Sequence, residues 1–176
     1  LSRIALRTLC SSAGRARLGL ALRGALQGVA PLVSGGGRGR LGHGRESNEV
    51  VPRLIAHLEQ VVAVAAGTYH SMALSAEGHV FTWGHGFFVQ LGHGAEAHRR
   101  VPTKVESLVG VSRIAAGGMH SLAVAEGMVY SWGHGAGGQL GLGDNNSRNV
   151  PTMVPGLGGV VAVEAGGDHA LALGQD

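Results

Sequence analysis

Cysteine is almost absent from this chain, and so are long apolar runs. Cys10 is the single cysteine among 176 residues. One cysteine excludes an internal disulfide framework and a four-cysteine zinc site. No uninterrupted apolar run reaches the roughly 18 residues of a membrane-spanning helix, so we predict no membrane span.

Acidic residues are missing from the first part of the chain. Residues 1–45 hold eight arginines and no acid, whereas residues 46–176 hold six basic and eleven acidic residues. The high isoelectric point therefore belongs to the N-terminal segment. The overall basicity therefore does not indicate that residues 46–176 bind nucleic acid.

Glycine, in contrast, is abundant. It supplies 32 of 176 residues without a three-residue period, which excludes collagen. Hydrophobic residues make up 44% and are spread along the chain, which excludes a disordered composition. Many short strands joined by tight turns fit both numbers, because glycine adopts positive φ without steric cost.

The chain repeats itself with periods of 50 and 49 residues. Each copy begins Leu-Gly-x-Gly, carries Val-Pro eleven residues after the leucine, and carries Gly-x-x-His fifteen residues after the proline. A tryptophan precedes the second and third leucines by eight residues. The recurring positions are Pro52, Pro102 and Pro151; Gly67, Gly117 and Gly166; His70, His120 and His169; Trp83 and Trp132.

Alternating apolar residues predict four strands in each period. In one copy they cover residues 61–67, 70–75, 79–83 and about 101–105. The proline of the fourth strand favours an edge position, because proline cannot donate to a ladder. We therefore predict an all-β fold of four-stranded antiparallel β-propeller blades. Three repeats, about 33–82, 83–131 and an incomplete 132–176, form the domain 33–176.

One glycine-rich stretch resembles a dinucleotide-binding turn. Gly133, Gly135 and Gly138 fit Gly-x-Gly-x-x-Gly after an apolar run. In the preceding copy Val89 replaces the third glycine, and no helix pattern follows either copy. The fingerprint needs that helix to meet the pyrophosphate, so we predict no cofactor.

Several phrases in fixed order resemble a known repeat. AGGMHSLAV, VYSWG, GQLGLGD and NVPTMV look like repeats of the regulator of chromosome condensation family, over about residues 35–174. The resemblance implies a seven-bladed propeller of which three repeats are a part. Because an open stack leaves its end faces bare, we expect either a longer propeller or completion by a partner or a second copy.

The recurring side chains are predicted to be structural. The histidines are expected to tie backbone carbonyls between turns, and the tryptophans to pack between blades. Ser71 and Ser121 follow a repeat histidine, but neighbouring strand residues point to opposite faces, so no catalytic dyad and no enzyme is predicted. The remaining loop histidines lack metal-ligand spacing, and no metal site is predicted; they are His43, His85, His93 and His134.

The primary hypothesis for function is a protein–protein interaction module. Variable loop residues are the predicted partner contacts: His98, Arg99 and Arg100, and Asp144, Asn145, Asn146 and Arg148. The family resemblance implies an alternative, guanine-nucleotide exchange on a small GTPase, with Asp168 on the GTPase-facing surface. The even spacing leaves no room for the wedge-like insertion of the exchange factor, so Asp168 can also be a simple turn acid.

Residues 1–32 form a segment of their own. Arginines, serines and the lack of acids are typical of an organellar transit peptide, which predicts a mitochondrial location. The alternative is a disordered basic tail on a cytoplasmic or nuclear protein. Such a tail could associate with nucleic acid or chromatin, and only through these arginines.

Overall fold

The computed structural model describes residues 37–175, so the predicted transit segment lies outside the described residues. Ten strands follow a 3-10 turn at Gly37–Gly39, which is the only helical segment in this range. The strands are β1 (Val61–Ala66), β2 (His70–Ser75), β3 (Val80–Gly84), β4 (Arg99–Lys104), β5 (Val111–Ala116), β6 (His120–Ala125), β7 (Met128–Gly133), β8 (Arg148–Met153), β9 (Val160–Ala165) and β10 (Ala170–Gly174).

The strands form three antiparallel sheets in chain order. The first blade is β1-β2-β3-β4, the second blade is β5-β6-β7-β8, and the third sheet pairs β9 with β10. The predicted all-β fold of four-stranded antiparallel blades is confirmed. Pro102 and Pro151 lie in β4 and β8 at the blade edges, where a missing N–H interrupts no second ladder. Each blade begins within one sequence repeat and ends in the next, since the first blade covers residues 61–104 and the second covers 111–153.

The two complete blades reproduce each other in detail. The register shifts between Val61 and Ala63 in the first blade and between Val111 and Arg113 in the second, so the same bulge recurs. Their hairpins differ by one residue. Glu126 and Gly127, with φ of 52° and 76°, form a two-residue turn in the second blade, whereas the first blade uses a longer turn.

Alternate residues of each inner strand face opposite neighbours. In β6, Ala123 and Ala125 join the core shared with the first blade, while Leu122 and Val124 join the core shared with the third sheet. All six β6 residues are therefore buried. In the third sheet, β10 is mostly exposed, with Leu171 at 64%.

Two kinds of connection lie at one end of the sheets, because antiparallel strands reverse direction. The β1–β2, β5–β6 and β9–β10 turns share this end with the long β3–β4 and β7–β8 loops. We name it the histidine end, since the Gly-x-x-His motifs form its turns. In the part of the chain that the structure describes, no helix is long and apolar enough to cross a membrane.

Candidate functional site

The repeat glycine and histidine pack directly against each other. The amide of Gly67 donates to the carbonyl of His70 at 2.9 Å, and Gly117 and His120 repeat this bond. A Cβ on Gly117 would lie 2.6 Å from Nδ1 of His120 and 2.7 Å from the carbonyl oxygen of Gly166. Only glycine leaves room there for the imidazole and the next turn.

The first blade and the second are joined by a buried histidine–serine hydrogen bond. Nε2 of His70 lies 2.8 Å from Oγ of Ser121, which donates its own proton to the carbonyl of Gln90 at 2.8 Å. Ser121 therefore accepts from Nε2–H, which fixes the tautomer. Burial, with the charge of His120 second, lowers the pKa of His70 to about 3.

The sequence prediction for His70 was wrong about its partner. A serine hydroxyl of the next blade, and not a backbone carbonyl, accepts the hydrogen bond. Neighbouring His70 and Ser71 do not pair, as alternation predicts; Ser71 donates to the carbonyl of Arg40. The His-Ser dipeptide that recurs in two copies was the available signal. That the histidine of one copy pairs with the serine of the next was missed.

The equivalent interface with the third sheet lacks this bond. Ala170 replaces the serine, and neither ring nitrogen of His120 has a hydrogen-bond partner among the described residues. Burial is the main cause of the lowered pKa of His120. Trp132 Nε1 is also unpartnered within residues 37–175, whereas Trp83 Nε1 donates to Arg40 at 2.8 Å.

The tryptophans pack between successive copies. Trp83 and Trp132 are 3% and 0% exposed. Trp132 belongs to the core between the first and second blades. A Cβ on Gly92 would lie 2.7 Å from Nε1 of Trp132, so the loop of the first blade closes over the indole of the second. Pro52, in contrast, is exposed and outside any strand.

The long loops of the two blades share one hydrogen-bonded scaffold. Thr82 donates to the carbonyl of Leu91, and Ser131 donates to that of Leu140, both at 2.7 Å. Gln90 Oε1 accepts from the amide of Phe88, as Gln139 Oε1 accepts from Gly137. These bonds hold the loops as ordered platforms and leave their tips to vary.

The tips of these loops differ strongly. Where the second blade has Ala-Gly-Gly at 136–138, the first has Phe-Phe-Val at 87–89. The rings surround His85, and its ring centre lies 4.7 Å from that of His98 and 5.7–6.1 Å from the others. We name this the aromatic cluster; its members are Tyr69, His85, Phe87, Phe88 and His98.

A guanidinium borders the aromatic cluster. Arg38 Nη1 lies 2.6 Å from Nε2 of His85. Arginine can only donate, so His85 accepts and is neutral. Burial, reinforced by Arg38 and His98, lowers the pKa of His85 to about 4. Sequence reasoning missed this cluster because Tyr69 and the bordering Arg38 lie far in sequence from the β3–β4 loop, which holds the other members.

The predicted contact residues of the first blade lie at the histidine end. His98 is exposed, and its Nδ1 accepts from the amide of Gly86 at 3.1 Å. Arg99 and Arg100 begin β4. Arg100 pairs with Glu46 at 2.9 Å, and this hydrogen bond lowers the pKa of the Glu46 carboxyl.

The predicted contacts of the second blade form a clasp within their own loop. Asp144 accepts from Arg148 at 2.7 Å and from the amide of Asn146 at 2.9 Å. The Arg148 bond is the main cause of the lowered pKa of Asp144. Asn145 is exposed beside the clasp. The bonds of Asp144 and Arg148 therefore stabilise the shape of the β7–β8 loop.

Asp168 lies in the β9–β10 turn and is exposed. With His169 it borders an apolar groove that Leu122, Leu140 and Leu171 line. Tyr69 and Met119 occupy the same turn position in the two blades. The structure thus brings Asp168 to the same end as the loop residues.

The structure places three sequence features that were weighed for catalytic, metal or cofactor chemistry. The His70–Ser121 pair is closed to solvent, since both residues are 0% exposed. Within residues 37–175 no three His, Cys, Asp or Glu side chains are grouped to hold a metal ion. Gly133, Gly135 and Gly138 lead into the β7–β8 loop and not into a helix.

Similarity to solved structures extends over most of the chain. Prp20p from Saccharomyces cerevisiae, for which binding properties to Gsp1p and histones are described, is 27% identical with a TM-score of 0.69; the match covers 76% of this chain and 36% of that one. Human WBSCR16 is 30% identical with a TM-score of 0.65, over 74% of this chain and 35% of that one. Yeast Prp20 has also been solved bound to Kap60.

Sequence relatives match over shorter stretches. The mitochondrial RCC1 domain-containing protein RUG3 of Arabidopsis thaliana is 46% identical over 55 residues, 30% of this chain and 12% of the relative. Human RCC1 domain-containing protein 1 is 47% identical over 53 residues, 28% of this chain and 14% of the relative. The chain thus spans only a small part of these proteins.

The family model for the regulator of chromosome condensation (RCC1) repeat matches three consecutive segments, residues 35–74, 77–124 and 126–173. A second model of the same repeat matches residues 61–90. These segments include the glycine–histidine turns and the long loops described above. The chain therefore belongs to the regulator of chromosome condensation repeat family.

Proposed function

We propose that this chain is a non-enzymatic protein-interaction module that presents the loops of its histidine end to a partner. One observation carries the proposal. In the two complete blades the repeated histidines and tryptophans are buried in packing, whereas equivalent loop positions at this end differ in chemistry. Phe87 against Ala136 is an example. Variable loops on a common scaffold are typical of recognition surfaces.

Site-directed photo-crosslinking tests which end meets the partner. A photoreactive phenylalanine analogue is placed at Ala136, exposed at the histidine end, and in the control at Leu157, 39% exposed at the opposite end. We expect a discrete crosslinked protein from Ala136 and none from Leu157. Crosslinking from Leu157 alone, or from neither, would contradict the proposal.

Guanine-nucleotide exchange is the second candidate. Exposed Asp168 and the similarity to Prp20p, which has described binding properties to Gsp1p, favour it. The test is release of fluorescent GDP from Gsp1p with the full chain, with Asp168→Ala, and with Glu126→Ala at the opposite end as control. Acceleration that Asp168→Ala alone abolishes supports exchange; release at the uncatalysed rate excludes it for Gsp1p.

We also propose a mitochondrial location. The arginine-rich, acid-free composition of residues 1–32 and the similarity to mitochondrial RUG3 support it. A fluorescent protein fused behind the full chain should enter mitochondria, and replacing the five arginines of residues 1–32 by glutamine should prevent this. Cytoplasmic or nuclear fluorescence of the unchanged chain would contradict the proposal.

Nucleic-acid association through the same arginines is a separate proposal. Phosphate contacts make binding strongly salt-dependent, because counterions are released. The full chain should bind a labelled DNA duplex with an affinity that falls steeply with salt. The glutamine-substituted chain should lose that binding, and binding that persists would place the contact elsewhere.

A further inference from the structure

We propose that the aromatic cluster, with Arg38 and Arg40 beside it, is a docking site for an acidic peptide segment that carries a large apolar side chain. This inference rests on the proposed interaction function and adds its site and the chemistry of the partner. Three features carry it: an exposed aromatic ring and a strained backbone in the first blade, and a basic rim beside them.

The exposed ring is Phe87. It is 62% exposed at the tip of a loop, while Ala136 occupies the equivalent tip in the second blade. Its ring stacks against His85 at 6.1 Å and lies 6.5 Å from that of His98. A neighbouring scaffold therefore holds Phe87 in place while leaving its face open. Ordered, exposed aromatic side chains are typical anchors of protein interfaces.

The backbone under this ring is strained. Val89 has φ of 53°, in the left-handed region that β-branched residues avoid. The second blade meets the same requirement with Gly138, at φ of 73°. The hydrogen bond from the Val89 amide to the Gly86 carbonyl holds the turn. The first blade thus keeps an apolar tip in spite of the conformational cost, and such strain concentrates at functional sites.

The rim of the cluster is basic. A depression beside it is lined by Gly37, Arg38, Arg40 and Tyr69, and none of these described lining residues is acidic. At the same end, Arg100 already holds one carboxylate of this chain, that of Glu46, at 2.9 Å. Arginine geometry suits carboxylates, so isolated acidic side chains of a partner complement this rim.

A peptide fits this surface better than a nucleic acid does. Glu46 places a carboxylate on Arg100, and Glu96 adds an exposed acid to the β3–β4 loop. They would repel a continuous phosphate backbone, whereas a peptide can place separate carboxylates between them. The apolar centre formed by Phe87 and Phe88 matches the aromatic core of protein interfaces.

Phage panning tests the site without a presumed ligand. A random 12-residue peptide library is selected on the full chain, and the enriched peptides are synthesised and measured by fluorescence anisotropy. We expect enrichment of Asp and Glu with one large apolar residue. Phe87→Ala should weaken binding about tenfold or more, as for interface anchors. Arg38→Gln should also weaken it and reduce its salt dependence.

Matched controls separate the site from the fold. Leu157→Phe places the same ring at the opposite end of the sheets and should leave affinity for the selected peptides unchanged. Thermal unfolding of Phe87→Ala should match that of the unchanged chain, because the ring is largely exposed. A labelled 15-nucleotide thymidine oligomer is measured in parallel.

The outcomes are distinguishable. Selected peptides that lack acids, or that bind Phe87→Ala equally well, overturn this site but leave the interaction function standing. Phe87-dependent binding of the oligonucleotide in place of peptides overturns the stated partner. A panning without any enriched sequence overturns the proposal, and together with no crosslink from Ala136 it removes the proposed function as well.

Discussion

The interface between the two blades and the interface between the second blade and the third sheet are built on the same glycine–histidine turn. Between the blades, Ser121 completes the contact by accepting from His70 at 2.8 Å. In the next interface Ala170 stands in that place, and His120 is buried without a hydrogen-bond partner within residues 37–175. The close packing of glycine against histidine thus recurs in each copy, whereas the hydrogen bond to the histidine ring does not.

The largest expected effect breaks the steric fit between the second blade and the third sheet. Gly117→Ala should lower the free energy of unfolding by about 3 kcal/mol, because its Cβ would meet both the His120 ring and the Gly166 carbonyl. Urea denaturation followed by tryptophan fluorescence measures it. Gly167→Ala is the matched control, since its Cβ would meet nothing within 4 Å. Equal costs for both variants would refute the steric argument.

Acid should weaken the interface between the blades through His70. Its pKa is lowered from 6.5 to about 3 in the folded protein, so between these values the unfolded chain binds the extra proton. Stability is therefore complete above about pH 6.5 and falls as pH falls, by about 2 kcal/mol at pH 5. The His70→Gln variant should lose this part of the pH dependence. Identical slopes for the two proteins would show that His70 is not responsible.

Exchanging the serine and the alanine should make the contributions of the two interfaces to stability more similar. Ser121→Ala leaves His70 unpartnered and should cost about 1.5 kcal/mol. Ala170→Ser supplies a hydroxyl opposite His120 and should gain about 1 kcal/mol. Thermal unfolding of both variants, and of the double variant, measures the exchange. A destabilising Ala170→Ser would mean that the third sheet does not repeat the geometry of the second blade.

The smallest effect concerns the loop tips. Val89→Gly should raise the free energy of unfolding by about 0.5 kcal/mol, because relief of the left-handed strain exceeds the added entropy of the unfolded chain. Gly138→Val in the second blade should lower it, for the same reason. Calorimetric melting of both variants checks the sign; a destabilised Val89→Gly would show that the valine side chain contributes more by packing than its backbone costs.

Local patterns predicted most of the strand layout. Residues 61–67 and 70–75 were predicted as strands, and β1 (Val61–Ala66) and β2 (His70–Ser75) lie there. The difference between the 50- and 49-residue periods lies in the second hairpin, where Glu126 and Gly127 form a short turn. Such features depend on neighbours in sequence, and alternation and turn residues report them directly.

The candidate site was less accessible to such reasoning. His98 and Arg100 were found as variable loop residues, but their contacts with Gly86 and Glu46 were not. Tyr69, His85 and Arg38 come from three separate segments, and no local pattern joins them. Variation between copies therefore indicated which loops differ, and not which side chains meet.

The sequence by itself determined the repeat, the strands and the turns at which glycine and histidine recur, because these follow from periodicity and turn residues. Only the tertiary structure decided that His70 pairs with the serine of the following copy and that Arg38 donates to His85, on which Phe87 stacks. The physical reason is that both arrangements join residues far apart in the chain. Stacking of one sheet on the next, and not local preference, sets those distances.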